Sequence, residues 1–188
     1  MRTLTTRRWL AVALPLAIVA VLAVLAVLAT VAAAAAMDSA EATLHSQDAK
    51  VSGSVHFTQE AAGVHVVADV SGVKPGQHGF HIHEKGDCTA PDYKSAGGHF
   101  NPAAAPHACD PTSPRHAGDF GNITVGADGK GHLDMTTTSL SFAGPNSVVG
   151  KAVILHEGED DCKTQPTGNA GGRLACGVVE QQPMMHHH

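Results

Sequence analysis

Three observations predict an all-β fold: short runs that alternate apolar and polar residues, turn residues spaced evenly between them, and no sustained helical periodicity after residue 36. In chain order, Val51, Gly53, Val55 and Phe57 alternate with Ser52, Ser54 and His56, the period of a strand with one buried face. Val64, Val66, Ala68 and Val70 repeat the pattern, with His65 and Asp69 on the opposite face. Lys74-Pro75-Gly76-Gln77 places Pro and Gly where a tight turn wants them. Phe80 and Ile82 then alternate with His81 and His83. Ile123 and Val125 lead through Ala127-Asp128-Gly129-Lys130-Gly131, a hairpin signal, to Leu133 and Met135. Val148 to His156 reads as a further strand. Short strands joined by regular turns predict a sandwich or barrel. Two long connections interrupt them, Glu84 to Arg115 (rich in Gly, Pro and Ala) and Glu157 to Gly172. Loops of that length in a compact domain are generally functional.

The composition narrows the chemistry. Aromatic residues make up only 4% of the 188, while 14 His exceed the 12 Lys and Arg together. Imidazole is the commonest metal ligand, so this excess points to metal. A formal charge of −5 without clustered Lys or Arg argues against nucleic acid.

The N-terminal 36 residues stand apart. Arg2, Arg7 and Arg8 precede an uncharged run of 28 residues from Trp9 to Ala36, ending in small residues. Those are the parts of an export signal, with Ala34 and Ala36 in place for cleavage. The run is also long enough to span a bilayer, so residues 1–36 are a signal peptide or an uncleaved anchor, and membrane contact is expected only in the second case. Either way the remainder is exported, to a periplasm or the extracellular space, and its formal charge from Asp38 onward is −8 (9 basic, 17 acidic). Residues 37–48 form a short linker and the start of the first strand. All four Cys lie in the exported part, where an even count reads first as two disulfides.

His81 and His83 share one side of a strand because side chains there repeat every second residue. His156 ends another strand, and the first long loop holds His99, His107 and His116, with Asp119 three places later. Three imidazoles and a carboxylate suit a closed zinc site; imidazoles alone suit copper.

Four segments carry a resemblance: His78-Gly-Phe-His81-Ile-His83, Gly97-Gly98-His99-Phe100-Asn101-Pro102, Arg115-His116-Ala-Gly-Asp119 and Gly168-Asn-Ala-Gly-Gly-Arg173-Leu-Ala-Cys176-Gly. In this order and spacing they resemble the copper–zinc superoxide dismutase family, in its exported bacterial form, over residues 42–179. The resemblance implies an eight-stranded Greek-key β-barrel or sandwich with two long functional loops. It implies one copper per subunit on His81, His83, His99 and His156, and one zinc on His99, His107, His116 and Asp119, His99 bridging the two. Asp160 matches a carboxylate linking a copper histidine to a zinc histidine, Arg173 an anion-docking residue, and Thr167 a residue narrowing the channel. His78 matches a structural position, whereas His45, His56, His65 and His132 match none and are expected on solvated strand faces. Cys176 matches the family disulfide cysteine, with Cys88 as partner; Cys109 and Cys162 are the candidates for a second bridge.

The activity implied is dismutation of superoxide to dioxygen and hydrogen peroxide by copper redox cycling, with zinc positioning His99. Superoxide is the substrate partner. A copper-binding or delivery protein of little turnover is the alternative, against which no ligand position and no Arg173 is lost. Lys163 either helps attract the anion despite the acidic total or is a plain exposed lysine. Lys85 stands where eukaryotic members place an apolar dimer contact, and burying an unpaired charge is costly, so a monomer or a differently built dimer is expected. Residues 180–188 end in Met184-Met185-His186-His187-His188, whose thioethers and imidazoles suit copper capture but equally fit an end without function.

Overall fold

The computed structural model describes residues Asp38–Pro183. The predicted export segment and the Met/His end of the tail lie outside the described residues. Among the described residues no helix is long and apolar enough to cross a membrane.

Nine strands appear among the described residues: β1 (Ser39–His45), β2 (Ser52–Glu60), β3 (Gly63–Ser71), β4 (Gly76–His83), β5 (Asp119–Val125), β6 (Lys130–Thr137), β7 (Ala152–His156), β8 (Arg173–Val178) and β9 (Glu180–Gln181). Their spatial order is β2-β3-β6-β5-β4-β7-β8-β1-β9, and β1 also pairs with β2, so β1 to β8 close into a barrel. The chain passes from β3 to β4 across β6 and β5, and from β6 to β7 across β5 and β4; two such crossings make the Greek key expected of the fold. The two-residue β9 merely lengthens the edge beside β1.

Register follows the alternation in the sequence. In β2 and β3, Val55, Phe57, Val64, Val66 and Ala68 are all inside, and Val55 faces Ala68 across the ladder. One slip of register would turn every one of these side chains to solvent. The expected Val148–His156 strand is shorter in the structure. Gly150, at φ +75°, turns the chain, the Lys151 N–H donates to the Val148 carbonyl, and pairing starts only at Ala152.

β4 and β7 differ from their neighbours because both of their faces are covered. Phe80 and Ile82 enter the barrel core with Val153 and Leu155, while the alternate residues face outward beneath loops. Ala152 and Ile154 meet a second apolar cluster with Tyr93, Ala96 and Cys176. His81 and His83 share the outward side with that cluster and are fully buried. The Cys88–Cys176 disulfide, Cα to Cα 5.8 Å, fastens the first long loop to β8 across 88 residues. By chain entropy such closure stabilises by about 4–5 kcal/mol at most.

Candidate metal centre

The positions of the histidines follow from how the first long loop returns to β4. The Phe100 N–H donates to the Ile82 carbonyl, the Glu84 N–H to the Gly98 carbonyl, and the Gly118 N–H to the Phe100 carbonyl. These bonds lay His99 alongside His83 as an isolated bridge. Buried Phe100 anchors the stretch in the core. His116 and Asp119 then arrive at the start of β5, and His156 closes β7.

Two groups of donors result. His81, His83, His99 and His156 bring one ring nitrogen each to within 4.8 Å of one another, and ring nitrogens of His99, His107 and His116 gather equally closely with a carboxylate oxygen of Asp119. His99 belongs to both. A third juxtaposition, of His107, Cys109 and Asp160, offers no free thiol, since Cys109 is bridged to Cys162.

Hydrogen bonds leave one nitrogen of most rings bare. His81 Nε2–H donates to Asp160 Oδ2 at 2.7 Å, His83 Nδ1–H to the Gly97 carbonyl at 3.0 Å, and His156 Nδ1–H to the Gly171 carbonyl at 3.4 Å. His107 Nε2–H donates to Asp160 Oδ1 at 3.0 Å. Each acceptor is an oxygen without a proton to give, so each bond fixes the tautomer and exposes the other nitrogen. Those other nitrogens (His81 Nδ1, His83 Nε2, His107 Nδ1, His156 Nε2) and His99 Nε2 are buried with no hydrogen-bond partner. His107 Nδ1 lies 3.0 Å from Asp119 Oδ2 yet makes no hydrogen bond to it, the posture of two donors facing a common cation. A buried polar atom without a partner is costly, and five lone pairs converging on two points fit metal ions. The donor types fit as well: imidazoles alone at one point, three imidazoles and a carboxylate at the other.

The electrostatics agree. Burial pushes the imidazoles of His81, His83 and His156 down to about 4, about 2 and about 3, and lowers that of His116, so all four are neutral and able to ligate at neutral pH. Burial would also depress His107, but the carboxylates of Asp160 and Asp119 outweigh it and raise the ring. For Asp119 and Asp160 burial opposes ionisation, while hydrogen bonds from His99 to the first and from His81, the Cys162 N–H and His107 to the second hold both carboxyls below the ordinary range.

Copper/zinc superoxide dismutase (SODC) is the description of the family model that matches residues 51–179. The chain belongs to this family. Copper and zinc are accordingly its cofactors, and dismutation of superoxide its reaction. A relative named "Extracellular superoxide dismutase [Cu-Zn]" from Brugia pahangi is 42% identical over 151 residues, 75% of either chain. Among solved structures, "Crystal Structure Analysis of the clock protein EA4" is similar at TM-score 0.71 and 39% identity, over 77% of this chain and 95% of that one.

Beside the donors lies a cleft of about 560 Å³ whose lining includes His83, His156, Thr167, Arg173 and Lys94. Arg173 donates from Nη1 to the Tyr93 carbonyl and from Nη2 to the Gly97 carbonyl, both at 2.6 Å, so the guanidinium is fixed at the cleft wall. Gly97 has φ +76°, and a β-carbon there would strike Glu84; glycine is what lets its carbonyl serve both His83 and Arg173. Lys163 is not among the residues lining the cleft, and Lys94 is. His78 is tied from Nδ1 to the His156 carbonyl and from Nε2 to the Lys74 carbonyl, away from both groups. His45, His56 and His132 are exposed and His65 is half-buried, none within a donor group. Sequence reasoning missed Asn122 and Gln165, whose amides grip the main chain at Asp160 and His107. No spacing rule marks an amide that will clamp a residue 38 or 58 positions away.

Proposed function

We propose that copper is held by His81 Nδ1, His83 Nε2, His99 Nε2 and His156 Nε2, and zinc by His99, His107, His116 and Asp119, with His99 shared between them. The observation that carries this reading is the set of five buried ring nitrogens left without partners. Copper, when bound, supplies a one-electron couple that can both take an electron from superoxide and return one, whereas zinc is redox-inert and organises the loop.

The chain's own residues do the rest. Arg173 presents a permanently charged guanidinium to the anion at the cleft wall. Thr167 and the glycines before Arg173 narrow the approach, which favours a diatomic anion over larger ones. His99 Nε2 would present its lone pair to copper in one state and, released, take a proton from solvent in the other, and that proton would pass to the reduced product. Asp160 keeps His81 and His107 in their tautomers. The enzyme acts outside the cytoplasm, as the name of the Brugia pahangi relative says of that protein, after residues 1–36 direct export as a cleaved signal or a retained anchor. Lys85 is exposed, consistent with a monomer or a dimer built on another face.

The test is superoxide turnover alongside metal content in the purified protein. One copper and one zinc per chain with rapid turnover is the expected result. His83→Ala should lose copper and activity while keeping zinc. Arg173→Ala should keep both metals and lose about 10–100-fold in kcat/KM, the worth of one charge-assisted hydrogen bond. A protein carrying both metals yet inert to superoxide would instead make it a copper carrier.

A further inference from the structure

His107 sits in the second half of the connection between β4 and β5, in a stretch without regular secondary structure. No strand ladder fixes its main chain. Two other devices do. The Gln165 side chain accepts from the His107 N–H through Oε1 and donates through Nε2 to the His107 carbonyl, both at 2.8 Å, taking up both main-chain groups of one residue as a neighbouring strand would. The Cys109–Cys162 disulfide, Cα to Cα 5.2 Å, then joins the residue two places after His107 to the residue two places after Asp160. Asp160 is the acceptor for His107 Nε2–H and also accepts from the Cys162 N–H at 2.7 Å. The far side is closed as well: Asn122 of β5 accepts from the Asp160 N–H at 2.8 Å and donates to its carbonyl at 2.9 Å. No atom of Gln165 or of either cysteine is among the hydrogen-bond partners of the His107 ring.

We propose that Gln165 and the Cys109–Cys162 disulfide are positioning elements for zinc: they hold the His107 main chain so that Nδ1 faces the zinc donors before metal arrives. Neither touches metal or substrate; both act through His107. The inference rests on the reading of His107 as a zinc donor and deepens it.

The experiment compares wild type, Gln165→Ala and the double variant Cys109→Ser/Cys162→Ser, each loaded with both metals and challenged with a competing chelator while zinc and copper release are followed separately. Gln165→Ala is expected to weaken zinc retention about tenfold and the double variant by up to about 100-fold, the range typical of partners that orient a ligand. Copper retention should stay within about twofold in both. Gln165→Glu, which keeps the acceptor for the His107 N–H but loses the donor, should fall between wild type and Gln165→Ala. Cobalt(II) in the zinc position gives a second readout: its visible bands should broaden in Gln165→Ala and be rescued in part by Gln165→Glu. Unchanged zinc retention, or parallel loss of both metals, overturns the proposal. His107→Gln separates it from the reading beneath. Wild-type zinc content in that variant sinks the ligand assignment. Lost zinc there with wild-type retention in Gln165→Ala and the double variant sinks the positioning role alone. Should the double variant fail to fold, Gln165→Ala and Gln165→Glu decide by themselves.

Discussion

The two donor groups are built on different kinds of backbone. In the copper group, His81, His83 and His156 stand on β4 and β7, adjacent central strands paired from Phe80↔Leu155 to His83↔Ala152. Their places are set by the barrel ladder. In the zinc group, His99, His107 and His116 stand on one long loop, and only Asp119 opens a strand. That loop borrows rigidity from a disulfide, a clamping amide and the bonds of Phe100 to β4. Strand-borne donors come with the fold; loop-borne donors have to be fastened one by one.

The sharpest way to break this contrast is Asp160→Ala, because Asp160 accepts from a ring of each group, His81 and His107. Loss of the carboxylate frees both tautomers. If strands fix donors and loops do not, zinc affinity should fall about 10–100-fold and copper affinity distinctly less, as measured by chelator competition for each metal. Equal losses would show that the ladder gives His81 no advantage. Gly168 belongs to the same joint: its φ is +66°, and a β-carbon there would collide with the Asp160 carboxylate, so the loop passes only as glycine.

Acid offers a gentler test in the metal-free protein. The strand imidazoles have folded values of about 4, about 2 and about 3, below the ordinary 6.5, and His116 is lowered too. The unfolded chain therefore binds more protons than the folded one below 6.5. Stability is full above that pH and falls as acid is added through the window down to the folded values. His107 has the opposite sign: its raised value contributes stability below 6.5 that is lost as pH rises through it. Asp119 and Asp160, lowered from 3.8, contribute above that value and lose their contribution below it. His65, raised by its hydrogen bond with Asp134, has the sign of His107, but four lowered imidazoles outweigh these two between pH 6.5 and 4, so the urea midpoint should drop across that range, each strand imidazole adding at most about 1.4 kcal/mol per pH unit. A flat midpoint from pH 7 to 4.5 would break the argument.

How far the sequence announces all this follows the same division. Period-two alternation in Val55–Phe57 and Val64–Ala68 is local, so the strands and their inward faces are legible directly. His81-x-His83 is legible for the same reason, since the ladder that sets their direction is written in the alternation itself. The loop donors carry no local period; residue type marks His107 and Asp119 as candidates, the resemblance implies their assignment to one site, and neither route marks the amides of Gln165 and Asn122. Their partners are chosen by tertiary approach. The β7 boundary shows the converse failure, where apolar Val148 and Val149 extended the pattern and only the positive φ of Gly150 ended it.

The smallest effect expected concerns the rim of the cleft, which exposed Lys163 does not line. Lys94 lines the cleft instead, on the same short 3-10 turn, Lys94–Ala96, that lies between the Tyr93 and Gly97 carbonyls holding Arg173. Asp92 Oδ2 sits 2.8 Å from its ammonium and Glu157 also lines the cleft, so much of its field is cancelled. Lys94→Gln should therefore lower kcat/KM only about twofold at low ionic strength, and not at all near 1 M salt, where the Debye length is about 3 Å. Asp92→Asn should raise it by a similar factor, and Lys163→Gln should leave it unchanged. A larger loss from Lys163 than from Lys94 would move the approach path to the second loop. Local field rather than the formal total of −5 governs how a small anion enters a cleft, and a cation beside Arg173 acts where that field is focused.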